Sequence, residues 1–507
     1  MTFQRASGIL LHPTSLPGQF GIGDLGESAY KFVDFLESSG QTLWQILPLG
    51  PTGYEHSPYT MNFSAFAGNP LLISLEQLAA DGLLNSNELA SLTDVNPERV
   101  NFDRVTPHKF QFLKHAYDRF QKTLTGDRQA AFEQFCQEQA YWLDDYVLFM
   151  ALLEANAGKS WNTWEPAIAR REPDALRAQS AALQEDIQFH QFLQFKFFEQ
   201  WSQLRAYANQ KQIQIIGDVS IYVCHNSADV WAEPEIFKLN PETLEPAFIA
   251  GVPPDYFSAT GQLWGNPVYD WDVLQKTEFD WWVRRFKATL QYVDIVRVDH
   301  FRGFEAYWQV PAGESTAING EWIKAPGTPF FEILDLKLGG LPVLAEDLGI
   351  ITPEVEELRD RFNFPGMRIL QFAFTDDATS IHLPHHYVKN SVVYPGTHDN
   401  DTAIGWWQQA TPGEKQFLAK YLGYSTPEEV PEINWALIRL ALTSVANLAI
   451  IPLQDVLGLD GHARMNDPSQ YAGNWRWRYT SSDLLTPEIC DRLLELTRMG
   501  DRYIRHR

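Results

Sequence analysis

The 507-residue sequence contains little cysteine, and it lacks both a long apolar run and an apolar segment at its N-terminus. Its three cysteines, Cys136, Cys224 and Cys490, stand far apart, which matches no metal-binding motif and argues against a disulfide scaffold. No stretch approaches the ~18 consecutive apolar residues of a membrane-spanning helix. We therefore expect a protein of a reducing compartment, either the cytoplasm or, where a transit peptide has been removed, the plastid stroma.

Basic residues are also scarce. Forty Lys and Arg stand against 64 Asp and Glu, which gives a net charge of −24. Because phosphate groups and anionic membranes are bound by clustered basic residues, this charge argues against nucleic acid or a membrane as partner. The sequence has no EF-hand loop, and Gly21-Ile-Gly23 lacks the third glycine of a dinucleotide-binding turn. We therefore predict a neutral ligand, no cofactor and no metal.

Aromatic residues, in contrast, are plentiful: they make up 13% of the chain, and 17 of them are tryptophan. Tryptophan beyond the needs of a core often marks a sugar-binding surface, because the indole stacks on the C–H face of a pyranose. A large core that uses many aromatic side chains explains the same composition. Composition alone leaves both interpretations open.

Short apolar runs rich in β-branched residues recur along the chain, and most are followed by a helix-like segment. Eight strands that alternate with helices predict an α/β fold, the (β/α)8 TIM barrel. The predicted strands cover residues 8–12, 43–49, 213–221, 293–299, 341–347, 367–374, 391–397 and 448–456.

The spacing of these strands is uneven, which predicts two insertions over the C-terminal rim of the barrel. Residues 50–212 contain helical patterns and are too long for a plain loop, so we expect one or two mostly helical subdomains there. Residues 222–290 are rich in Pro, Gly and aromatic side chains and are expected to overhang the site as a lid. Because the chain leaves the barrel and returns to it, residues 1–507 should form a single interrupted catalytic domain.

Three predicted strands end in acidic residues: Asp299, Glu346 and Asp399. A barrel enzyme carries its chemistry at the C-terminal ends of its strands, and converging carboxylates are what cleavage of a glycosidic bond requires. Arg297 lies two residues before Asp299, so both side chains project to one face, where the guanidinium favours the ionised carboxylate. Glu346 and Asp347 alternate faces. We expect Glu346 to face the site, where an apolar setting would raise its pKa and suit a general acid and base.

Asp399 lies in the polar run Gly396-Thr397-His398-Asp399-Asn400, and such a cluster suits the hydroxyl groups of a sugar. We assign Asp399 to those hydroxyls and His398 to a neutral hydrogen-bond donor. Each segment also has a purely structural explanation. Asp299 could form a structural Arg–Asp pair at a strand end, and Glu346 could be a helix-capping or salt-bridged surface acid. The segment around Asp399 could be a turn with local Asp and Asn backbone bonds.

Together these segments resemble the 4-α-glucanotransferases of glycoside hydrolase family 77, the amylomaltases or disproportionating enzymes. The resemblance covers nearly the whole chain, and the segments occur in the family's order. They include Arg297-Val-Asp299-His300-Phe301-Arg302-Gly303 and residues 7–17, 44–51, 57–59, 217–218, 227–231, 251–258, 261–267, 345–349 and 397–402.

The resemblance implies that Asp299 is the nucleophile, Glu346 the acid/base and Asp399 the stabiliser of the transition state. It also implies a set of substrate-binding residues, with Tyr59 stacked beneath the sugar. Residues 251–267, which include Tyr256 and Phe257, would form part of a lid over the donor and acceptor channel. Ser220, where many relatives have proline, and the segment 224–226 depart from the family pattern. The implied substrate-binding residues are Tyr59, Asp218, Trp264, Asn266, Arg297, His398 and Asn466.

The implied activity is a retaining double displacement that transfers part of an α-1,4-glucan to the 4-OH of another glucan or of glucose. It requires the Asp299 and Glu346 carboxyl groups to lie roughly 5–5.5 Å apart. The expected partners are α-1,4-glucans and maltooligosaccharides; oligomeric state is left open. Two alternatives remain at this point: an α-amylase-type hydrolase, and a starch-binding protein without catalysis.

Overall fold

The computed structural model carries twelve named strands in its described residues, and these make two sheets. The structure describes residues 3–53, 56–59, 62–89, 96–254, 258–375, 377–470 and 472–503. The strands are β1 Ala6–Leu10, β2 Leu43–Gln45, β3 Gln214–Val219, β4 Phe248–Val252, β5 Gln262–Pro267, β6 Ile295–Val298, β7 Ala306–Pro311, β8 Glu321–Lys324, β9 Val343–Ala345, β10 Gly366–Ile369, β11 Ser391–Tyr394 and β12 Leu448–Pro452.

Eight of these strands close into a parallel barrel in the order β1-β12-β11-β10-β9-β6-β3-β2. They are the eight strands that the sequence predicts, so the predicted (β/α)8 TIM barrel is confirmed. Most are shorter than predicted; the run 341–347, for example, contributes only Val343–Ala345 to the sheet. β1 begins at Ala6, two residues before its prediction, because Ala6 pairs with Leu448 of β12. Apolarity marks the buried stretch, whereas pairing with the neighbours sets its ends.

Helices surround the barrel and fill the segments between its strands. The α-helices among the described residues are α1 Glu27–Ser38, α2 Leu75–Ala80, α3 Ser86–Leu89, α4 Phe102–Thr123, α5 Gly126–Ala155, α6 Pro166–Ala169, α7 Pro173–Ala182, α8 Gln184–Gln210, α9 Ala228–Ala232, α10 Trp271–Lys276, α11 Asp280–Tyr292, α12 Gly327–Leu338, α13 Pro353–Arg361, α14 Ala403–Gln409, α15 Pro412–Tyr421, α16 Ile433–Thr443, α17 Leu453–Val456 and α18 Pro487–Met499.

The helices that the sequence indicates are present. Of the apolar stripe Leu25, Ala29, Phe32, Val33 and Leu36, all members except Leu25 lie on α1, which begins at Glu27. Gly40 follows that helix with a φ of +74°, a conformation that suits glycine. Thr352 occupies the N-cap position of α13, directly before Pro353. Each stripe turns its apolar side chains toward the barrel or toward a neighbouring helix, as amphipathic periodicity requires.

The segment between β2 and β3 holds helices α2 to α8. The long helix α8 packs against α5 but also against α1 and β3, so its C-terminal part covers the barrel. There Trp201 is buried, and its indole N–H donates to the carbonyl of Tyr292 at 2.8 Å. The predicted boundaries of the two insertions, 50–212 and 222–290, stay predictions.

The second sheet is antiparallel, with the order β5-β4-β7-β8, and the sequence does not indicate it. Its strands are only partly buried, and the pairing of β4 with β5 is irregular between Ile249 and Gly251. Alternation of apolar and polar residues is therefore weak in these strands. Because β7 and β8 lie beyond residue 290, this sheet extends past the predicted lid region.

The barrel strands bring the predicted polar residues to one rim. β3 and β6 pair in a register that sets Asp218 directly beside Arg297, and β6 and β9 set Val298 beside Ala345. The residues that follow, Asp299 and Glu346, are therefore neighbours at the C-terminal ends of adjacent strands. Among the residues described, we find no helix with the length and apolarity needed to cross a membrane.

Candidate active site

Arg297 lies at the centre of a buried group of charges. Its Nη1 atom donates to Asp218 Oδ2 at 2.6 Å and to Asp299 Oδ1 at 3.0 Å. The side chain of Asp218 is fully buried, whereas that of Asp299 keeps 27% of its surface exposed. One guanidinium thus fixes two carboxylates, and only Asp299 is open to an incoming molecule.

The charges in this group determine which side chains are ionised. Burial alone would lower the pKa of Arg297, but the carboxylates of Asp218 and Asp299 outweigh it and raise that pKa well above its usual value. Burial raises the pKa of Asp299, and Arg297 is the largest influence in the opposite direction. The contact with Arg297 therefore favours the ionised carboxylate that an attack on carbon needs.

Two backbone N–H groups, from His300 and Leu348, hold the Glu346 carboxylate in place. Oε2 accepts the N–H of His300 at 2.7 Å, and Oε1 accepts the N–H of Leu348 at 2.9 Å. His300 adopts a left-handed conformation with a φ of +50°, which is uncommon for a residue with a side chain. This turn, immediately after Asp299, ties the Glu346 carboxylate to the residue next to the other acid.

Burial, followed by the negative charge of Asp299, raises the pKa of Glu346 to about 7. Asp347 is placed differently. Its Oδ2 accepts from Arg359 at 2.5 Å and lies 3.5 Å from Arg368, while its Oδ1 accepts the N–H of Met367. Of the two adjacent acids, Asp347 is thus engaged in the protein interior and Glu346 has the environment of a general acid.

The third acid, Asp399, belongs to a polar cluster after β11. Its Oδ1 accepts from Asn466 Nδ2 at 2.6 Å, and its Oδ2 lies 3.4 Å from His398 Nε2. Arg464 donates to the backbone carbonyl of Asp399, and the N–H of Asn466 donates to that of His398. Burial lowers the pKa of His398, which favours its neutral form. Asn466 therefore orients the carboxylate and fixes the backbone before it.

An aromatic group borders both of these polar clusters. The ring of Tyr59 stacks on His398 with the centroids 5.0 Å apart and the planes 7° apart, and Trp475 packs against both rings. The Tyr59 hydroxyl donates to Asp218 Oδ2 at 2.9 Å. Tyr59 thus connects the charged group around Arg297 to the cluster around Asp399. Trp475 is not among the site residues predicted from the sequence. Its place in the aromatic segment Asn474-Trp475-Arg476-Trp477 is the feature that could have indicated it.

Trp264, which the sequence assigns to the predicted lid, lies on β5. Its ring packs edge-on against His300, with 4.7 Å between the centroids. Asn266 is buried, and its Nδ2 donates to the carbonyl of Val223, so this amide joins β5 to the loop after β3. Its predicted contact with substrate stays a prediction. Tyr256 and Phe257, also assigned to the lid, lie outside the described residues.

In the described part of the chain, no cluster of three His, Cys, Asp or Glu side chains has an arrangement that could hold a metal ion. His382 and His386 have the spacing of a helical metal pair, but they do not share an α-helix, since His386 ends the short 3-10 turn Pro384–His386 and His382 precedes it. His382 Nδ1 accepts the N–H of Ile369, and His386 Nε2 contacts the carbonyl of Ala378. Neither ring is presented to a common ion.

The geometry therefore combines an oriented carboxylate, a second carboxyl group with a pKa near neutrality, and a third acid beside a neutral imidazole. The first two are positioned by adjacent barrel strands, and an aromatic ring lies alongside. Such a set can attack a saturated carbon, protonate an oxygen that leaves it, and bind the hydroxyl groups around it.

Comparison with known proteins identifies the family. The profile of the 4-alpha-glucanotransferase family, glycoside hydrolase family 77, matches residues 11–484. A 4-alpha-glucanotransferase of Synechocystis sp. is 54% identical over the full length of both chains. Another from Thermus thermophilus is 49% identical over 99% of this chain and 100% of the relative. The structure of an amylomaltase from Streptococcus agalactiae, in complex with acarbose, superposes with a TM-score of 0.95 at 39% identity, and the match covers 99% of this chain and 100% of that one. The chain therefore belongs to glycoside hydrolase family 77, the 4-alpha-glucanotransferases.

Proposed function

We propose that the chain is a 4-α-glucanotransferase that moves part of an α-1,4-glucan to the 4-OH of a second glucan or of glucose. The observation that carries the mechanism is the pairing of Asp299, held by Arg297, with Glu346, held by the N–H of His300. A non-catalytic starch-binding protein would need aromatic surfaces but not two carboxyl groups in these different environments. The relatives in this family carry the name of a transferase rather than that of a hydrolase.

In the first step the Asp299 carboxylate attacks C1 of the sugar that contributes this carbon to the α-1,4-glycosidic bond being cleaved. Glu346, protonated near neutral pH, gives its proton to the oxygen that leaves with the rest of the chain. The C1–oxygen bond breaks and a β-glucosyl ester of Asp299 forms. Asp399, oriented by Asn466, accepts hydroxyl groups of the reacting sugar, while Tyr59 lies beneath the ring.

In the second step the roles reverse. An ester on Asp299 has no negative charge, so one of the two causes that raise the pKa of Glu346 disappears once the ester forms. Glu346 then ionises readily and can take the proton of an incoming 4-OH. That oxygen attacks C1, the ester bond breaks, and the α-linkage is restored with Asp299 free again. The predicted separation of roughly 5–5.5 Å between the two carboxyl groups follows from this direct attack.

The direct test of the activity is incubation of the protein with maltotriose as the only sugar, followed by chromatography of the products. Disproportionation gives glucose together with a ladder of longer maltooligosaccharides. A hydrolase would give maltose and glucose with no product longer than the substrate, and that result would reject transfer as the function.

The pH dependence follows from the two carboxyl groups. We expect kcat/KM for maltotriose to fall as the pH rises through about 7, because Glu346 must carry a proton when the first bond breaks. With α-maltosyl fluoride the departing fluoride needs no proton, so kcat/KM for that donor should lose this alkaline decrease. If kcat/KM falls at the same alkaline pH with both donors, a group other than Glu346 is responsible for the decrease.

Trp264 is expected to keep water from the ester until an acceptor sugar arrives. Removing its ring with Trp264→Ala should raise hydrolysis relative to transfer on the order of tenfold, equivalent to about 1.4 kcal/mol between the two barriers. Trp264→Phe keeps a ring against His300 and is the matched control, with a ratio near that of the unchanged protein. Free glucose and total reducing ends measure the two rates. An unchanged ratio in Trp264→Ala would contradict this role.

A reducing compartment such as the cytoplasm or the plastid stroma suits the chain. The three cysteines all lie in described positions, and none of them forms a disulfide. The excess of negative charge is compatible with a neutral glucan as the binding partner.

A further inference from the structure

Trp322 exposes an unusual amount of indole for a side chain close to a catalytic rim. It lies on β8, the edge strand of the antiparallel sheet, and 38% of its surface is exposed. An exposed apolar side chain marks a binding surface when it belongs to a larger apolar patch. The mechanism above does not use this residue.

Two neighbours hold the Trp322 ring in place. The guanidinium of Arg302 covers one face, 3.7 Å from the ring centroid, and Trp308 packs edge-on with 5.2 Å between the centroids. The indole of Trp308 is itself fixed, because its N–H donates to the carbonyl of Ala317 at 2.9 Å. Arg302 and Trp308 therefore cover part of the Trp322 ring, and the remaining indole surface is exposed.

The Arg302 side chain also links the Trp322 ring to the loop that carries Glu346. Arg302 donates from Nη1 to the carbonyl of Ile350, four residues after Glu346, and half of the Ile350 surface is exposed. On the other side, Ile318 in the turn before β8 is 51% exposed. Glu346 protonates the oxygen of the departing chain, so the glucan on the leaving-group side runs past Glu346. Because Arg302 connects Trp322 to the loop that carries Glu346, Trp322 is a candidate for contact with that part of the glucan.

We propose that Trp322 is a stacking platform for the glucan on the leaving-group and acceptor side of the cleft, several sugars away from the cleaved bond. This inference rests on the proposed function. A pyranose has two flat C–H faces, and a rigid indole beside Ile318 and Ile350 offers a matching apolar surface. A preorganised ring binds without losing much side-chain freedom, which favours a contact of this kind. The platform would select donors and acceptors by length.

The test follows which bond of a long donor is cut. Maltoheptaose labelled at its reducing end is given to the protein, and the labelled fragments released first are separated by length. A platform on the leaving-group side favours long labelled fragments, because their sugars reach Trp322. In Trp322→Ala the ratio of long to short labelled fragments should fall about tenfold, toward glucose and maltose.

Three variants complete the design. Trp322→Phe retains a stacking ring and should restore most of the long fragments, and Trp322→Gln replaces Trp322→Ala should that variant fold poorly. Tyr424→Ala removes a ring of similar exposure (37%) that belongs to no part of the site, and its fragment pattern should match that of the unchanged protein.

An unchanged pattern in Trp322→Ala, or a shift toward longer labelled fragments, overturns the proposal; the second result would place Trp322 on the other side of the bond. The proposed function and the Trp322 platform are contradicted by different results. If the unchanged protein releases no labelled fragment at all, the proposed function fails, whereas an active protein with an insensitive pattern rejects only the platform.

Discussion

Replacing Asp299 by asparagine is expected to reduce glucan transfer by about 10⁴-fold or more while the protein stays folded. The amide keeps the size of the side chain and can still contact Arg297, but it cannot form the ester at C1. The rate of product formation from maltotriose measures the effect. Asp294→Asn is the matched control, because Asp294 precedes the same strand at the opposite end of the barrel, where it pairs with Arg205 at 2.7 Å. That variant should retain activity within a few-fold.

The stereochemistry of a rescued reaction shows whether Asp299 is the nucleophile or a supporting acid. In Asp299→Ala, azide can enter the space of the missing carboxylate and attack C1 from the same side, which gives a β-glycosyl azide from an α-linked donor. An α-glycosyl azide, or normal transfer in Asp299→Asn, would contradict the assignment. Retained binding of maltooligosaccharides by the inactive variant would show that the loss is chemical.

The second large effect is expected for Glu346→Gln, which should lower transfer between glucans by about 10²- to 10⁴-fold. Glutamine keeps the size of the side chain, and its single carbonyl oxygen can take the place of one of the two oxygens that accept from His300 and Leu348, but it cannot give a proton to the leaving oxygen. With α-maltosyl fluoride as donor, the first step needs no proton and should keep most of its rate. Fluoride release measures this step separately from transfer.

Asp347→Asn serves as the control for Glu346→Gln. Asp347 is the next residue, but its carboxylate pairs with Arg359 and Arg368 in the interior, so its loss should lower the melting temperature rather than acid catalysis. Equal loss of activity on glucan and on the fluoride in Glu346→Gln would contradict the role of proton donor. A selective loss in Asp347→Asn would transfer that role to the neighbouring acid.

Much of the barrel can be predicted from the sequence because most of its buried parallel strands lie in short apolar runs that contain Val, Ile or Leu. The C-terminal ends of such strands meet at one rim, so acids after β6, β9 and β11 could be expected to converge. The same reasoning separates Glu346 from Asp347, since adjacent residues in a strand face opposite sides. What periodicity cannot supply is the end of each strand, which depends on pairing with a distant neighbour.

The contacts that finish the site join residues far apart in the sequence. Tyr59 reaches Asp218 through its hydroxyl and His398 through its ring, and no local pattern records either contact. The left-handed conformation of His300, which aims its N–H at Glu346, is equally hidden, because the residue type does not require it. The antiparallel sheet that carries Trp264 and Trp322 is missed because its edge strands, β5 and β8, are exposed or half-buried over most of their length and lack a continuous apolar run.

The most direct test of the central claim is to trap the sugar on the protein. Glu346→Gln is incubated with an α-maltotriosyl fluoride that lacks the terminal 4-OH, so the donor cannot act as an acceptor, and the reaction is stopped with acid. Digestion and mass spectrometry should find a maltotriosyl ester on the peptide that contains Asp299. A label on any other carboxylate, or consumption of the donor with inversion and no labelled peptide, would contradict the double displacement.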